Sequence, residues 1–470
     1  MPAEQLFHDP IYGFIKVPDY LVRLIDTDEF QRLRNVRQLA TVRYRYPGAN
    51  HTRFEHLLGT YHISRLFIEM FMFGMDDKYT TNDAISPPEI TTQMRMCVEC
   101  AALLHDLGHG PFGHTMDFLL DRLGFDEKKR HEYFTCKWIR SKHTQIGKTL
   151  RAYNLSLENI CNLIVKEPPT FKYDALVKGA KWIRLKENRS MYMFLANLIS
   201  SDLDADRIDY LVRDAYYSGV RMVGLDLTSL LSAAYLFGQV IPPLPPSTKT
   251  RAEVSLVFDI KLLRAIEAAM LSWVAMYKMV YHQTTHRLLQ EMVVKSFAAY
   301  VREHYGNTDI QERHVERIMK WTDDEAIQNL RKYESSKKMI ERVLHRKPFH
   351  IVVEETWSNL PSKTRDYILE YQGKFDQVPA LEQELASKAG HGLNENDLVV
   401  SMPLIKPRAI ALPLLEKRGN SYEIKKVIEV SDVAKAIMQI PFVDKLFVAT
   451  SNSDTANAVR EAVKDVFRIP

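Results

Sequence analysis

His105 and Asp106 stand side by side in ALLHDLGHGPFGH, while His56 lies in RFEHLLG and Asp206 in DLDADRIDYLVRD. Two neutral imidazoles and two carboxylates suit a divalent cation that must also hold water or phosphate oxygens. Consecutive helical residues point about 100° apart, so His105 and Asp106 can face one ion only if it sits in the cleft beside their helix. His56 and Asp206 would then come from neighbouring helices, as in sites assembled inside a helix bundle. Each of the four residues, taken singly, also reads as a hydrogen-bonded core residue. Their flanks favour chemistry: LLHDLGHGPFGH packs three His and three Gly into twelve residues behind an apolar helix. Such glycines let a backbone turn sharply and approach a ligand.

The elements that must position these residues read as mostly helical. Apolar residues recur at i, i+3, i+4 and i+7 over 21–39, 54–72 and 94–107. The same signal runs through 111–123, 131–142, 156–166 and 190–216. A short hairpin is expected at 41–46 (TVRYRY), before Pro47-Gly48. The stretch 241–248 (IPPLPPST) carries four prolines and reads as a linker. Beyond it, 258–303 reads as one or two long helices whose Met and aromatic stripe is core packing. From about 348 the segments HIVVEE, NDLVVSM, AIALPLL and DKLFVAT read as strands. They alternate with helical 361–372, 378–388, 431–439 and 453–466, a smaller α+β domain.

Composition bounds the class. The 470 residues are 46% hydrophobic and 26% charged, with a net charge of +4, which is enough for two or three domains. That balance excludes an acidic disordered chain and does not mark a dedicated nucleic-acid binder. The basic runs 126–143 and 331–347 read as solvated helix faces, so nucleic acid is not an expected partner. Four cysteines form no framework; Cys97 and Cys100 sit in an apolar helical run and read as buried thiols. No long apolar run and no leader pattern is visible, so the expectation is a soluble, cytoplasmic protein without membrane contact.

The segments HDPIYGFI, LIDTDEFQRLRNVRQLA, YPGANHTRFEHLLG, LLHDLGHGPFGH and DLDADRIDYLVRD resemble, in order, signature blocks of the HD-domain superfamily. In particular they resemble the deoxynucleoside triphosphate triphosphohydrolases. The resemblance covers about residues 5–220 and continues through MYKMVYHQTTHR. It implies a mainly α fold, with an HD-domain helical core at 1–240 and a helical extension at 249–347 that completes the site and makes oligomer contacts. The C-terminal α+β domain would span 348–470. The implied activity is hydrolysis of dNTPs to deoxynucleoside and inorganic triphosphate by a homodimer or homotetramer. The alternatives are another HD-type nucleotide phosphohydrolase and a non-catalytic nucleotide sensor.

Residue by residue, the resemblance implies that His56, His105, Asp106 and Asp206 bind a divalent ion (Mg, Mn, Fe or Zn). His109 matches the catalytic histidine beside the α-phosphate and His131 its partner, with Asp117 and Glu132 in support. A histidine is the side chain best poised to protonate a departing alkoxide near neutrality. Arg53 and Arg207 match triphosphate contacts, and Gln38 and Leu39 the pair at the sugar edge. Tyr210 and Asp214 match readers of the 3′-OH, Tyr281 the tyrosine beneath the sugar, and His114 a substrate contact. Asp26, Gln31 and Arg34 match an allosteric nucleotide site. One departure stands out: Trp273 replaces an arginine that reaches the phosphates, leaving Lys278, or His286 and Arg287, to take that part.

Overall fold

The protein is described by a computed structural model covering residues 4–73, 90–125, 130–165, 189–222, 225–241, 251–306, 310–371, 374–403, 412–419, 421–440, 443 and 445–469. It opens with a hairpin, β1 (Gln5–Asp9) and β2 (Gly13–Val17). Asp9 Oδ1 accepts the Ile11 and Tyr12 amides at 2.8 and 3.1 Å, and Gly13 takes the positive φ that closes the turn. Two short helices follow, α1 (Asp19–Ile25) and α2 (Asp28–Gln31). The helical core is then built from α3 (Arg53–Phe73), α4 (Thr92–Leu104), α5 (Thr115–Arg122) and α6 (His131–Arg140). It continues through α7 (Gln145–Ala152), α8 (Leu157–Val165), α9 (Arg189–Asn197) and α10 (Ala205–Ser218). Helix α11 (Leu227–Ala233) leads into the paired strands β3 (Ala234–Ile241) and β4 (Arg251–Asp259).

Next come α12 (Leu263–Met276), a π-helical turn at Tyr277–Tyr281, and the long α13 (Thr284–Tyr305). Helices α14 (Glu312–Met319), α15 (Asp323–Leu330) and α16 (Glu334–Leu344) pack behind them. The C-terminal part is mixed. It holds β5 (His350–Thr356), α17 (Ser362–Glu370), α18 (Val378–Ala389), β6 (Leu398–Ser401), β7 (Pro413–Arg418) and β8 (Ser421–Lys426). It closes with α19 (Val427–Val430), α20 (Asp432–Met438), β9 (Lys445–Thr450) and α21 (Ala456–Phe467). Strands β5, β9 and β6 form an antiparallel sheet that packs on α18 and α21 around Leu385, Leu446, Val448 and Val463. The fold is therefore mainly α, a helical core with a smaller C-terminal mixed region, as expected. The strand pairing also runs across residue 348, because β4 pairs in parallel with β7 at Phe258–Leu414.

Several local expectations give way to tertiary contacts. The helix read over 21–39 is broken: Thr27 donates its hydroxyl to the Leu24 carbonyl (2.6 Å), and a 3-10 turn follows at Arg32–Asn35. The hairpin read at 41–46 is a 3-10 helix, Ala40–Tyr44. Its Thr41 is fully buried and hydrogen-bonds His286 of α13 at 2.7 Å, which outweighs the β-propensity of TVRYRY. The helix read over 190–216 splits in two, because Asp204 leaves the helical region and caps α10 by accepting the Arg207 amide (2.6 Å). Strands β1 to β4 and β8 were not anticipated, and of the 241–248 linker only Ile241 lies among the described residues. AIALPLL is likewise described only from Leu412 onward.

Candidate active site

Three helices bring the His/Asp residues together. His56 is fully buried on α3, His105 and Asp106 end α4, and Asp206 lies in the first turn of α10. His56 Nε2 is 3.1 Å from Asp206 Oδ1 and 3.9 Å from Asp106 Oδ2. His105 Nε2 lies 3.6 Å from carboxylate oxygens of both aspartates. Each imidazole is fixed from behind: His56 Nδ1 bonds Asp209 Oδ2 (2.8 Å), and His105 Nδ1 donates to the Ala102 carbonyl (2.9 Å). Such bonds set the tautomer and aim Nε2 at one point. His56 Nε2 is buried with no hydrogen-bond partner among the described residues, as suits an atom that ligates a cation. Ligand atoms of His56, His105 and Asp106 lie within 4.8 Å of one another, and Asp206 Oδ1 faces both imidazoles at 3.1 and 3.6 Å, a donor set that fits a divalent ion. The support extends inward: Asp209 takes Arg213 Nε at 2.9 Å, and Arg213 reaches Asp9 at 2.8 Å.

A second histidine group adjoins the first. His109 and His131 stack with centroids 3.7 Å apart and planes 15° from parallel. His109 Nε2 is 3.3 Å from Asp106 Oδ1, and His131 Nε2 is 3.6 Å from the same atom. On the far side Asp117 Oδ2 meets both His131 Nδ1 (3.1 Å) and His114 Nδ1 (3.0 Å). Burial, the Arg53 guanidinium and His131 hold His109 well below its ordinary pKa, so this ring is neutral. Burial also opposes charge on His131, but Asp117's charge and hydrogen bond prevail and lift it to about 9. His114 differs from both, because its side chain is 62% exposed, while His109 is sealed. Glu132 stands at the rim, 3.5 Å from His131.

The loop carrying these rings is held by its backbone. Gly108 donates to Thr135 Oγ1 (2.7 Å), and a Cβ there would fall inside contact distance of the His131 carbonyl. Arg32 donates to the carbonyls of Leu107 (2.9 Å) and His109 (2.8 Å), and buried Asp323 accepts the Phe112 amide (2.8 Å). Arg32, Thr135, Asp209, Arg213 and Asp323 were not singled out from sequence, since nothing local marks an Arg or Asp whose partner is distant in the chain.

Next to His114 and Asp117 opens a cavity of about 440 Å³. Gln38, Leu39, Tyr210, Asp214, Tyr281 and His114 all line it. Asp214 is the hub: it accepts the Tyr281 hydroxyl at 2.6 Å and faces His51 Nε2 at 2.8 Å. The π-helical turn presents Tyr277 and Tyr281 on one wall. Four expected phosphate contacts lie elsewhere. Arg53 is fully buried and paired with Asp106, and Arg207 donates to the Asp202 carbonyl (3.0 Å) beneath the Trp273 ring, 5.5 Å away. Arg287 donates to the carbonyls of Lys445 and Met402, toward the C-terminal region (both 3.0 Å). His286, by contrast, does line the cavity; burial first, and Arg287 second, push it down to about 4, so its ring is neutral. Lys278 is not among the cavity-lining residues.

Asp26, Gln31 and Arg34 share one segment outside the cavity; Arg34 Nε donates to Gln31 Oε1 (2.8 Å), and Asp26 is exposed at the end of α1. Cys97 and Cys100 are fully buried in α4, consistent with packing. In the basic runs, Lys137 pairs with Glu312 and Glu316, and Arg331 with Glu341. Among the described residues no helix is long and apolar enough to cross a membrane.

Comparison with known proteins agrees with this geometry. The HD domain family matches residues 53–213, and the HD associated region matches 248–470. The chain is 33% identical over 223 residues to the Deoxynucleoside triphosphate triphosphohydrolase SAMHD1 homolog of Dictyostelium discoideum, spanning 46% of this chain and 37% of that protein. It is 33% identical over 298 residues to the uncharacterized protein YwfO of Bacillus subtilis, spanning 63% of this chain and 55% of that one. The chain thus spans about a third to just over half of these relatives. A solved structure of a hypothetical protein from Aquifex aeolicus shares the fold, with a TM-score of 0.67 at 24% identity over 98% of this chain and 100% of that one. With the His/Asp cluster and the two matched regions in hand, the chain belongs to the HD-domain superfamily.

Proposed function

We propose that this protein is an HD-type phosphohydrolase that cleaves deoxynucleoside triphosphates to deoxynucleoside and inorganic triphosphate. The observation that carries the reading is a continuous chain of contacts. It runs from the cluster of His56, His105, Asp106 and Asp206, through stacked His109 and His131, to His114 in a nucleoside-sized cavity.

In this reading water attacks the α-phosphorus, the bond to the sugar 5′ oxygen breaks, and that oxygen takes a proton. His114 is the residue that gives it: its ring faces the cavity while Asp117 holds its Nδ1, which leaves Nε2 for the leaving oxygen. His131 shares Asp117 and serves as the charged partner, while neutral His109 spaces it from Asp106. The proton released by water restores the acid. This assigns to His114 the role that resemblance alone gave to His109, on the ground that His109 is sealed from the cavity. A divalent cation held by His56, His105, Asp106 and Asp206 supplies Lewis-acid polarisation of the phosphoryl oxygen and a more acidic water. Two imidazoles in that set favour Mn, Fe or Zn over Mg. Tyr210 and Asp214 read the 3′-OH, with Tyr281 beneath the sugar holding Asp214 through its hydroxyl and Gln38 and Leu39 at the sugar edge.

The same reading includes homo-oligomers and a second nucleotide site at Asp26, Gln31 and Arg34. Its support is that Arg32, in the same segment, donates to the carbonyls of Leu107 and His109, so a ligand there can bias the catalytic loop. The test is anion-exchange product analysis of each dNTP and NTP with Mn²⁺ or Mg²⁺, singly and mixed. Deoxynucleoside with intact triphosphate is the expected result, and activity only in mixtures supports the second site. Pyrophosphate or monophosphate as product overturns the reading.

A further inference from the structure

A triphosphate carries several negative charges, and the cavity offers it few cations. The four Lys and Arg residues that the resemblance and its gap made candidates, Arg53, Arg207, Lys278 and Arg287, do not line the cavity. Arg53 is sealed behind Asp106, Arg207 lies beneath Trp273, and Arg287 points to the C-terminal region. Three carboxylates that line the cavity, Asp117, Asp121 and Asp214, add unfavourable charge of their own. Among the described residues a single Lys or Arg lines it, and that residue is Arg130.

Arg130 immediately precedes His131 at the start of α6, so its backbone is fixed beside the histidine stack. Its Nη2 pairs with Asp121 at 3.2 and 3.5 Å, and its buried Nε finds no acceptor among the described residues. The side chain is 39% exposed, so a ligand can reach it. Asp121 stands one helical turn beyond Asp117 on α5, about 6 Å further along the helix axis. Asp117 touches His114 and His131, the residues placed at the α-phosphate. A guanidinium one turn further out stands where the rest of a polyphosphate tail extends.

Resting on the proposed triphosphohydrolase reading, we propose that Arg130 is a substrate-binding residue that clamps the outer phosphates of the nucleotide, taking the place left by Trp273. A guanidinium offers paired donors to phosphate oxygens, and Nε with one Nη is the fork that phosphate accepts. Asp121, 3.2 Å from Nη2, keeps the guanidinium in the cavity wall.

The test uses the full-length, metal-loaded protein with Arg130→Gln and Arg130→Lys, each checked for an unchanged melting temperature. Steady-state kinetics on dNTPs are expected to give a KM raised about tenfold or more for Arg130→Gln, with kcat changed far less and partial recovery in Arg130→Lys. Binding of inorganic triphosphate, read by calorimetry, is expected to weaken to a similar degree. Deoxynucleoside binding is expected to stay unchanged, and the defect to grow from deoxynucleoside mono- to di- to triphosphate. Unchanged KM and triphosphate affinity overturn the proposal, as does an equal defect for the bare deoxynucleoside, which would move Arg130 to the base or sugar. If the wild-type protein releases no triphosphate, the proposed reaction fails, while the calorimetric comparison with inorganic triphosphate still decides the assignment of Arg130.

Discussion

Replacing Asp209 by Asn separates a residue that tunes the metal centre from one that only holds the core. Asp209 is fully buried and takes three bonds: His56 Nδ1 at 2.8 Å and Arg213 Nε and Nη2 at 2.9 and 3.0 Å. The asparagine keeps the shape but removes the charge, and it cannot accept from the imidazole and the guanidinium with both oxygens. His56 then loses the partner that fixes its tautomer, a change that typically weakens metal binding about 10–100-fold, or about 1.4–2.8 kcal/mol. Arg213 keeps Asp9 at 2.8 Å, so the loss of stability should fall below the ~3–5 kcal/mol of a fully broken buried pair. Asp9→Asn is the control: Oδ1 still accepts the Ile11 and Tyr12 amides, while the Oδ2 side facing Arg213 loses its charge. Mn²⁺ affinity is measured by competition with a chromophoric chelator and stability by thermal melting. Asp209→Asn should lose both metal affinity and stability, Asp9→Asn stability alone. Wild-type Mn²⁺ affinity in Asp209→Asn, with both variants melting equally early, would refute the reasoning.

Other expectations are more compact. His286 is pushed down to about 4 from 6.5, so the unfolded chain binds the extra proton between those values. Stability should therefore be full above pH 6.5 and fall by up to about 3 kcal/mol as pH drops toward 4. Chemical denaturation across that range should show the slope, and His286→Gln should flatten it. Tyr281→Phe removes the 2.6 Å bond to Asp214 and should raise KM for a dNTP by roughly 5–10-fold. It should leave a 2′,3′-dideoxynucleotide nearly unaffected, and an equal loss on both substrates would argue against 3′-OH reading. Gly108→Ala forces a methyl into the α6 backbone and should cost about 1–3 kcal/mol, with loss of turnover as the loop shifts; an unchanged melting temperature would contradict it. Glu382→Gln unpairs buried Arg122 and Lys295, each 2.6 Å from its carboxylate, and should lower stability by about 3–5 kcal/mol in urea unfolding.

The ligand-type residues were legible because their chemistry is local: His105-Asp106 and the Gly/His loop announce themselves in a dozen residues. Helices α3 and α4 were legible as long, proline-free runs rich in apolar residues. Where partners are remote the sequence is silent or misleading. TVRYRY has β-propensity, yet Thr41 is drawn onto His286, 245 residues away, and the segment coils into a 3-10 turn. Likewise no window around Arg32 indicates that it braces Leu107 and His109.

Sequence by itself determined the set of donors, the helical class and the family blocks, because side-chain type and short-range periodicity are properties of adjacent residues. Tertiary structure alone decided which charges face the cavity. Arg53 and Arg207 have the right chemistry for phosphate but lie outside the cavity lining, Arg53 paired with Asp106 and Arg207 on the Asp202 carbonyl beside Trp273. Arg130 carries no motif and is left facing the open space. Whether a guanidinium is a ligand or a brace depends on which acceptors lie within hydrogen-bonding reach, and those arrive from distant parts of the chain.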